Sequence, residues 1–195
     1  MRGHTKAISC ATLLALAACS GGGSDAADND ETATKDGGET VAAKVEEAAE
    51  PADVPEAKLA SNDAIFEFLT AEKYKEFQVS EPERHPSIGP HDDVIVYFNQ
   101  TLADSMKTGN TEHPAGSMVV KEQYKKDSEE KYGWSVSIKT HDKSDFGKGW
   151  WWYEVLSTTD STKIFPENPG NGAPECSACH TQGNDFVITE LPSAS

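Results

Sequence analysis

Basic side chains are scarce: 17 Lys and Arg stand against 33 Asp and Glu, for a formal net charge of −16. So acidic a chain repels phosphate backbones, which excludes nucleic acid as a natural partner. Long apolar runs are missing as well. The longest, within residues 7–18, is too short to span about 30 Å of hydrocarbon at about 1.5 Å per helical residue. Cysteine occurs only four times, at positions 10, 19, 176 and 179. No second ligand pair at zinc spacing accompanies the last two, and no internal repeat is visible. Aromatic residues are absent from 20–58, whereas residues 59–195 hold all of them, including four Trp.

What the amino end does contain is an export-like pattern. Arg2 and Lys6 precede the apolar stretch 7–18, which closes on Leu16-Ala17-Ala18-Cys19. That ending resembles the lipobox of bacterial lipoproteins. The resemblance implies cleavage before Cys19 and a diacylglycerol on its thiol, with membrane contact through the lipid anchor alone. An ordinary secretory signal is the plainer alternative. Ser20, rather than Asp, after the cysteine favours the outer membrane over the inner one. Residues 1–18 are therefore expected to be a signal peptide, with the mature protein on the periplasmic side of the envelope.

Residues 20–58 carry eleven Asp and Glu against three Lys. Nothing there could bury enough apolar area to offset the entropy of ordering the backbone. The expectation for 19–58 is a lipidated cysteine followed by a disordered, self-repelling acidic tether.

Residues 59–195 have the size of one domain. An apolar stripe through Ile65, Leu69 and Phe77, with Ser61 as N-cap, predicts a helix over 61–77, and 101–107 predicts another short one. Val94–Phe98, Ser117–Lys121, Trp134–Ile138 and Trp150–Val155 read as strands. Their connections carry turn residues and mostly lack long helical patterns. The expected fold class is α+β, a single domain dominated by an antiparallel β-sheet with a few short helices.

Chemistry is concentrated in Cys176-Ser177-Ala178-Cys179-His180. Cysteines three apart lie about one helical turn from each other, so each thiol can add to one vinyl group of a haem edge while the histidine reaches the iron. The same spacing also suits a redox dithiol, half of a zinc site or a local disulfide. If Cys10 leaves with the signal and Cys19 takes the lipid, Cys176 and Cys179 remain as the free thiols. Export also matches haem attachment outside the cytoplasmic membrane. The reading is one covalent haem c per chain, held by Cys176 and Cys179 with His180 on the iron, on a C-terminal helix.

The ordered set His113-Pro114-Ala115-Gly116-Ser117-Met118-Val119-Val120-Lys121-Glu122, Gly133-Trp134, Gly149 to Val155, Cys176 to His180 and Asp185 to Thr189 resembles the cytochrome P-460 family and the related cytochromes c′-beta. The match covers roughly 90–195, and 59–90 more loosely. It implies a mostly β domain with a five-coordinate haem, and homodimers occur in that family. The ligands are small nitrogen compounds: hydroxylamine, which is oxidised, or nitric oxide, which is bound. Electrons would pass to a periplasmic electron-transfer protein. Lys121 matches the lysine that is cross-linked to the haem in cytochrome P-460 proper. Val94 stands where hydroxylamine-oxidising members have a distal arginine, which implies a less polar pocket.

Strand alternation puts Ser117, Val119 and Lys121 on one face and Met118 on the other. It likewise groups Trp150, Trp152 and Glu154 on one side of their strand. Those tryptophans either wall the haem or fill the core. Glu154 is either a distal acid–base group or an exposed strand end. Distal ligation by Met106, Met118, His85, His91, His113 or His141 would instead make a six-coordinate electron carrier, and a non-catalytic binder of nitric oxide or carbon monoxide is the third reading.

Overall fold

The computed structural model describes residues 55–193, all within one compact unit spanning 46–195. Cys19, residues 1–18 and most of the segment read as a tether lie outside the described residues. A single 3-10 turn, Glu56–Leu59, begins just ahead of the domain start expected at 59. No helix among the described residues is long and apolar enough to cross a membrane.

The domain is α+β, as expected. Its antiparallel sheet contains β1 (Val79–Ser80), β2 (His85–Pro86), β3 (Asp93–Phe98), β4 (Met118–Tyr124), β5 (Lys131–Lys139), β6 (Trp150–Val155) and β7 (Ile164–Asn171). Strands β3 to β7 form a meander, while β1 and β2 both pair with the outer side of β3. Three short helices complete the fold: α1 (Asn62–Thr70), α2 (Gln100–Lys107) and α3 (Pro174–His180).

Every expected strand is present, most of them a residue or more longer. β1, β2 and β7 escape the pattern for physical reasons. Two-residue strands are too short to alternate, and β7 carries Pro166 and Pro169, which only an edge strand tolerates. The helical stripe over 61–77 proves to be two pieces. Ser61 caps α1 by accepting from the Ala64 N–H. The helix stops at Thr70, whose hydroxyl donates to the Phe66 and Glu67 carbonyls at 2.9 and 3.2 Å. Glu72 then turns left-handed (φ 54°) into a 3-10 turn, Lys73–Glu76.

Both faces of the sheet are covered. Met118, Val120, Val136, Ile138, Trp151 and Tyr153 pack with Ile65 and Leu69 of α1. On the opposite face Val94, Val96, Val119, Trp150 and Trp152 pack with Leu102 of α2 and Val187. The expected division of Met118 from Val119, and of Trp151 from its two neighbours, therefore holds.

One charge is buried on the α1 face. Glu122, 1% exposed, accepts hydrogen bonds from the phenols of Tyr74, Tyr124 (2.7 Å) and Tyr97 (3.2 Å) and from Lys131 Nζ at 2.9 Å. Burial pushes its pKa up, but these donors outweigh that and hold it below the ordinary value of about 4.5. A carboxyl with a depressed folded-state pKa contributes stability above that ordinary value and loses it as pH falls through the folded one. Urea midpoints should therefore decline as pH drops below about 4.5, and Glu122→Gln should flatten that part of the profile.

Candidate haem site

The site is built on α3. Pro174 sits in its first turn, where a missing N–H costs nothing. The seven-residue helix carries Cys176 and Cys179 one turn apart and delivers His180 in its last turn. The chain then doubles back through 181–187, with Asp185 (φ 46°) and Phe186 (φ 68°) both left-handed. A side chain at Gly183 would collide with the Val187 carbonyl, so only glycine fits there. This loop brings the Phe186 carbonyl to accept from His180 Nδ1 at 2.8 Å. Nδ1 is thereby the protonated nitrogen, and the Nε2 lone pair is left available for a metal. Burial pushes the imidazolium down to about 4, and the nearby charges of Lys121 and His91 act in the same direction. The ring packs at an angle against Trp152, with centroids 4.6 Å apart.

Cys176, Cys179 and His180 form one wall of a cavity of about 200 Å³, and Val119, Lys121, Trp152 and Glu154 of the sheet form another. Two further spaces adjoin it. One of about 430 Å³, lined by Glu81, His85, Val94 and Val96, shares Lys121 and Ile88 with it. The other, of about 630 Å³, shares Pro90, Glu154 and Phe165.

Two charged groups of the sheet line this cavity. Lys121 is 6% exposed and has neither a hydrogen bond nor an ion pair among the described residues. Burial lowers its pKa, and the attraction of Glu81 and Glu154 only partly opposes this. Glu154 is also buried, not an exposed strand end. It lies 3.0 Å from His91 Nδ1 and accepts from Gln123 Nε2. Gln123 in turn approaches His91 at 3.0 Å, and its own Oε1 has no partner.

The structure thus gathers Cys176, Cys179, His180, Lys121, Glu154, His91 and Trp152 around one cavity. Other candidates fall outside it. His85 borders the adjoining space and pairs with Glu81 at 2.8 Å. His113 is not a surface residue: it is 1% exposed and lies 2.9 Å from Ser105 Oγ. Met118 belongs to the opposite face. Val94 lines the 430 Å³ space with an apolar side chain. Trp150 fills the core of the site face rather than the cavity. Sequence reasoning missed Gln123, which the alternation carrying Lys121 could have found two positions on. It gave no role to Lys139, nor to Asp185, which it named only within the resembling set, and their pairing across 46 positions leaves no local signal.

A haem fits these residues. Two thiols one turn apart and an imidazole with a free Nε2 stand on the wall of a mainly apolar space. Both thiols are free. Burial, with Glu154, Glu175 and Cys179 nearby, pushes Cys176 up to about 12, unlike the depressed thiol of a redox dithiol. Among the described residues no group of three or more His, Cys, Asp and Glu is arranged to hold a bare metal ion. The Cytochrome P-460 family model matches residues 71–189, more than half of the chain. The chain belongs to the cytochrome P-460 family, a family of haem cytochromes. No curated protein gives a match.

A buried amine without partners costs stability. Lys121→Met should raise the stability of haem-free protein by about 1–3 kcal/mol, measured by urea unfolding after expression without haem maturation.

Proposed function

We propose that the protein is a monohaem c-type cytochrome that binds a small nitrogen compound and, given an electron acceptor, oxidises it. Hydroxylamine is the substrate and nitric oxide the related ligand. The observation that carries this reading is the asymmetry of the cavity. His180 Nε2 is free on one side, and the sheet opposite supplies an unpartnered amine and an oriented carboxylate. Met118, the methionine of β4, points into the other core.

Bound there, haem supplies a redox-active iron with an open position. Cys176 and Cys179 hold the macrocycle and His180 the iron. Lys121, a buried amine whose lowered pKa makes it more readily the neutral nucleophile, is the residue that would join the macrocycle, its nitrogen replacing a ring hydrogen as an external peroxide-type oxidant takes up the two electrons. Glu154, held by His91 and Gln123, accepts protons from the ligand's N–H or O–H. The apolar walls limit water. Cys19 carries the lipid, residues 19–58 act as the spacer, and a small periplasmic electron-transfer protein takes the electrons. Val94 favours a second reading in which the ligand is bound without turnover.

Absorption spectra of purified protein test the core of this reading. Covalent haem should vanish in the Cys176→Ala, Cys179→Ala double variant. A broadened, red-shifted ferrous Soret band should return to an ordinary position in Lys121→Ala. An ordinary six-coordinate spectrum unmoved by carbon monoxide would sink both the oxidase and the gas-binding readings. Hydroxylamine assays with an artificial acceptor separate those two. Glu154→Gln should cut turnover by about 10²–10⁴-fold while carbon monoxide still binds.

A further inference from the structure

The cavity does not use every buried charge on its side of the sheet. Lys139, at the end of β5, and Asp185, in the loop after α3, form an ion pair at 2.8 Å with side chains 0% and 3% exposed. Four groups converge on this one carboxylate. Its Oδ2 also accepts from the His113 N–H at 2.7 Å, and its Oδ1 accepts from Ser144 Oγ and from Trp150 Nε1 at 3.4 Å. Lys139 Nζ also donates to Ser144 Oγ and sits 5.3 Å above the Trp150 ring. Lys139 and Trp150 are register partners on β5 and β6, so the carboxylate is fastened to the rigid part of the sheet.

Stability alone is a weak explanation for such a pair, because desolvating two charges offsets most of their attraction. Its position says more. Asp185 and Phe186 hold left-handed backbone that non-glycine residues avoid. The carbonyl that accepts the His180 Nδ1–H hydrogen bond belongs to Phe186, the next residue. Partners of this kind orient a metal-bound imidazole and raise its basicity.

We infer that Lys139 and Asp185 are positioning residues for the iron: the pair pins the 181–187 loop so that the Phe186 carbonyl fixes the orientation and donor strength of His180. This rests on the haem reading proposed above. It assigns the tuning of the iron to a charge pair that does not line the cavity.

The test uses haem-loaded protein and the double variant Lys139→Met, Asp185→Asn. Met replaces the lysine stem, while Asn tolerates left-handed backbone and keeps a carbonyl for the His113 N–H. Its haem content and thermal midpoint should stay near wild type. The ferrous iron–imidazole stretch, read by resonance Raman, should move to lower frequency and broaden, and the reduction potential should rise. Ser144→Ala, which deletes one hydrogen bond, should move both readouts the same way by less. Lys143→Met removes a nearby exposed pair with Glu112 and should move neither. Wild-type stretch and potential in a folded, loaded double variant would overturn the inference. Should that variant fail to fold, Ser144→Ala decides by the same two readouts. A wild-type protein that carries no covalent haem would refute the haem reading first, and the inference with it.

Discussion

Side chains along β4, β5 and β6 alternate between two faces, and both faces are covered. Most positions on the three strands are therefore committed to one of two interiors, with Tyr124, Lys131, Tyr132 and Ser135 only partly buried. On the α1 side the alternate residues are apolar, with Glu122 enclosed by phenols. On the other side stand Val119, Lys121, Trp152 and Glu154, which line the cavity together with Ser135 and Ser137. Lys121 and Glu122 are neighbours in sequence yet occupy opposite interiors. A one-residue register slip would exchange them, placing the acid in the cavity and the amine among the tyrosines.

The buried charges on the cavity side are handled in different ways. Asp185 and Lys139 satisfy each other and several polar neighbours, so that pair closes on itself. Glu154 is partly satisfied by His91 and Gln123. Lys121 is not satisfied at all. An isolated buried amine costs stability, and this one lines the same cavity as the His180 imidazole.

Much of this arrangement is legible in the sequence. The CxxCH spacing named Cys176, Cys179 and His180 together, since a single helical turn dictates their proximity. Period-two alternation placed Lys121 with Val119 and Glu154 with Trp152. Legibility stopped where contacts are long-range. That Glu154 is buried depends on His91, 63 positions away. The hold on Asp185 depends on β5 and on the loop before β6. The break of the first helix at Thr70 also eluded the apolar stripe, because it comes from a hydroxyl competing for backbone carbonyls.

The separation of the two interiors also bears on how such a domain can diversify. Odd-numbered positions of β4 line or border the cavity, while even-numbered ones belong to the helix-backed core. A change at 94, 121 or 154 can alter the polarity or charge around the bound group without disturbing the packing that α1 provides. New ligand preferences are thus open to single substitutions on an unchanged scaffold.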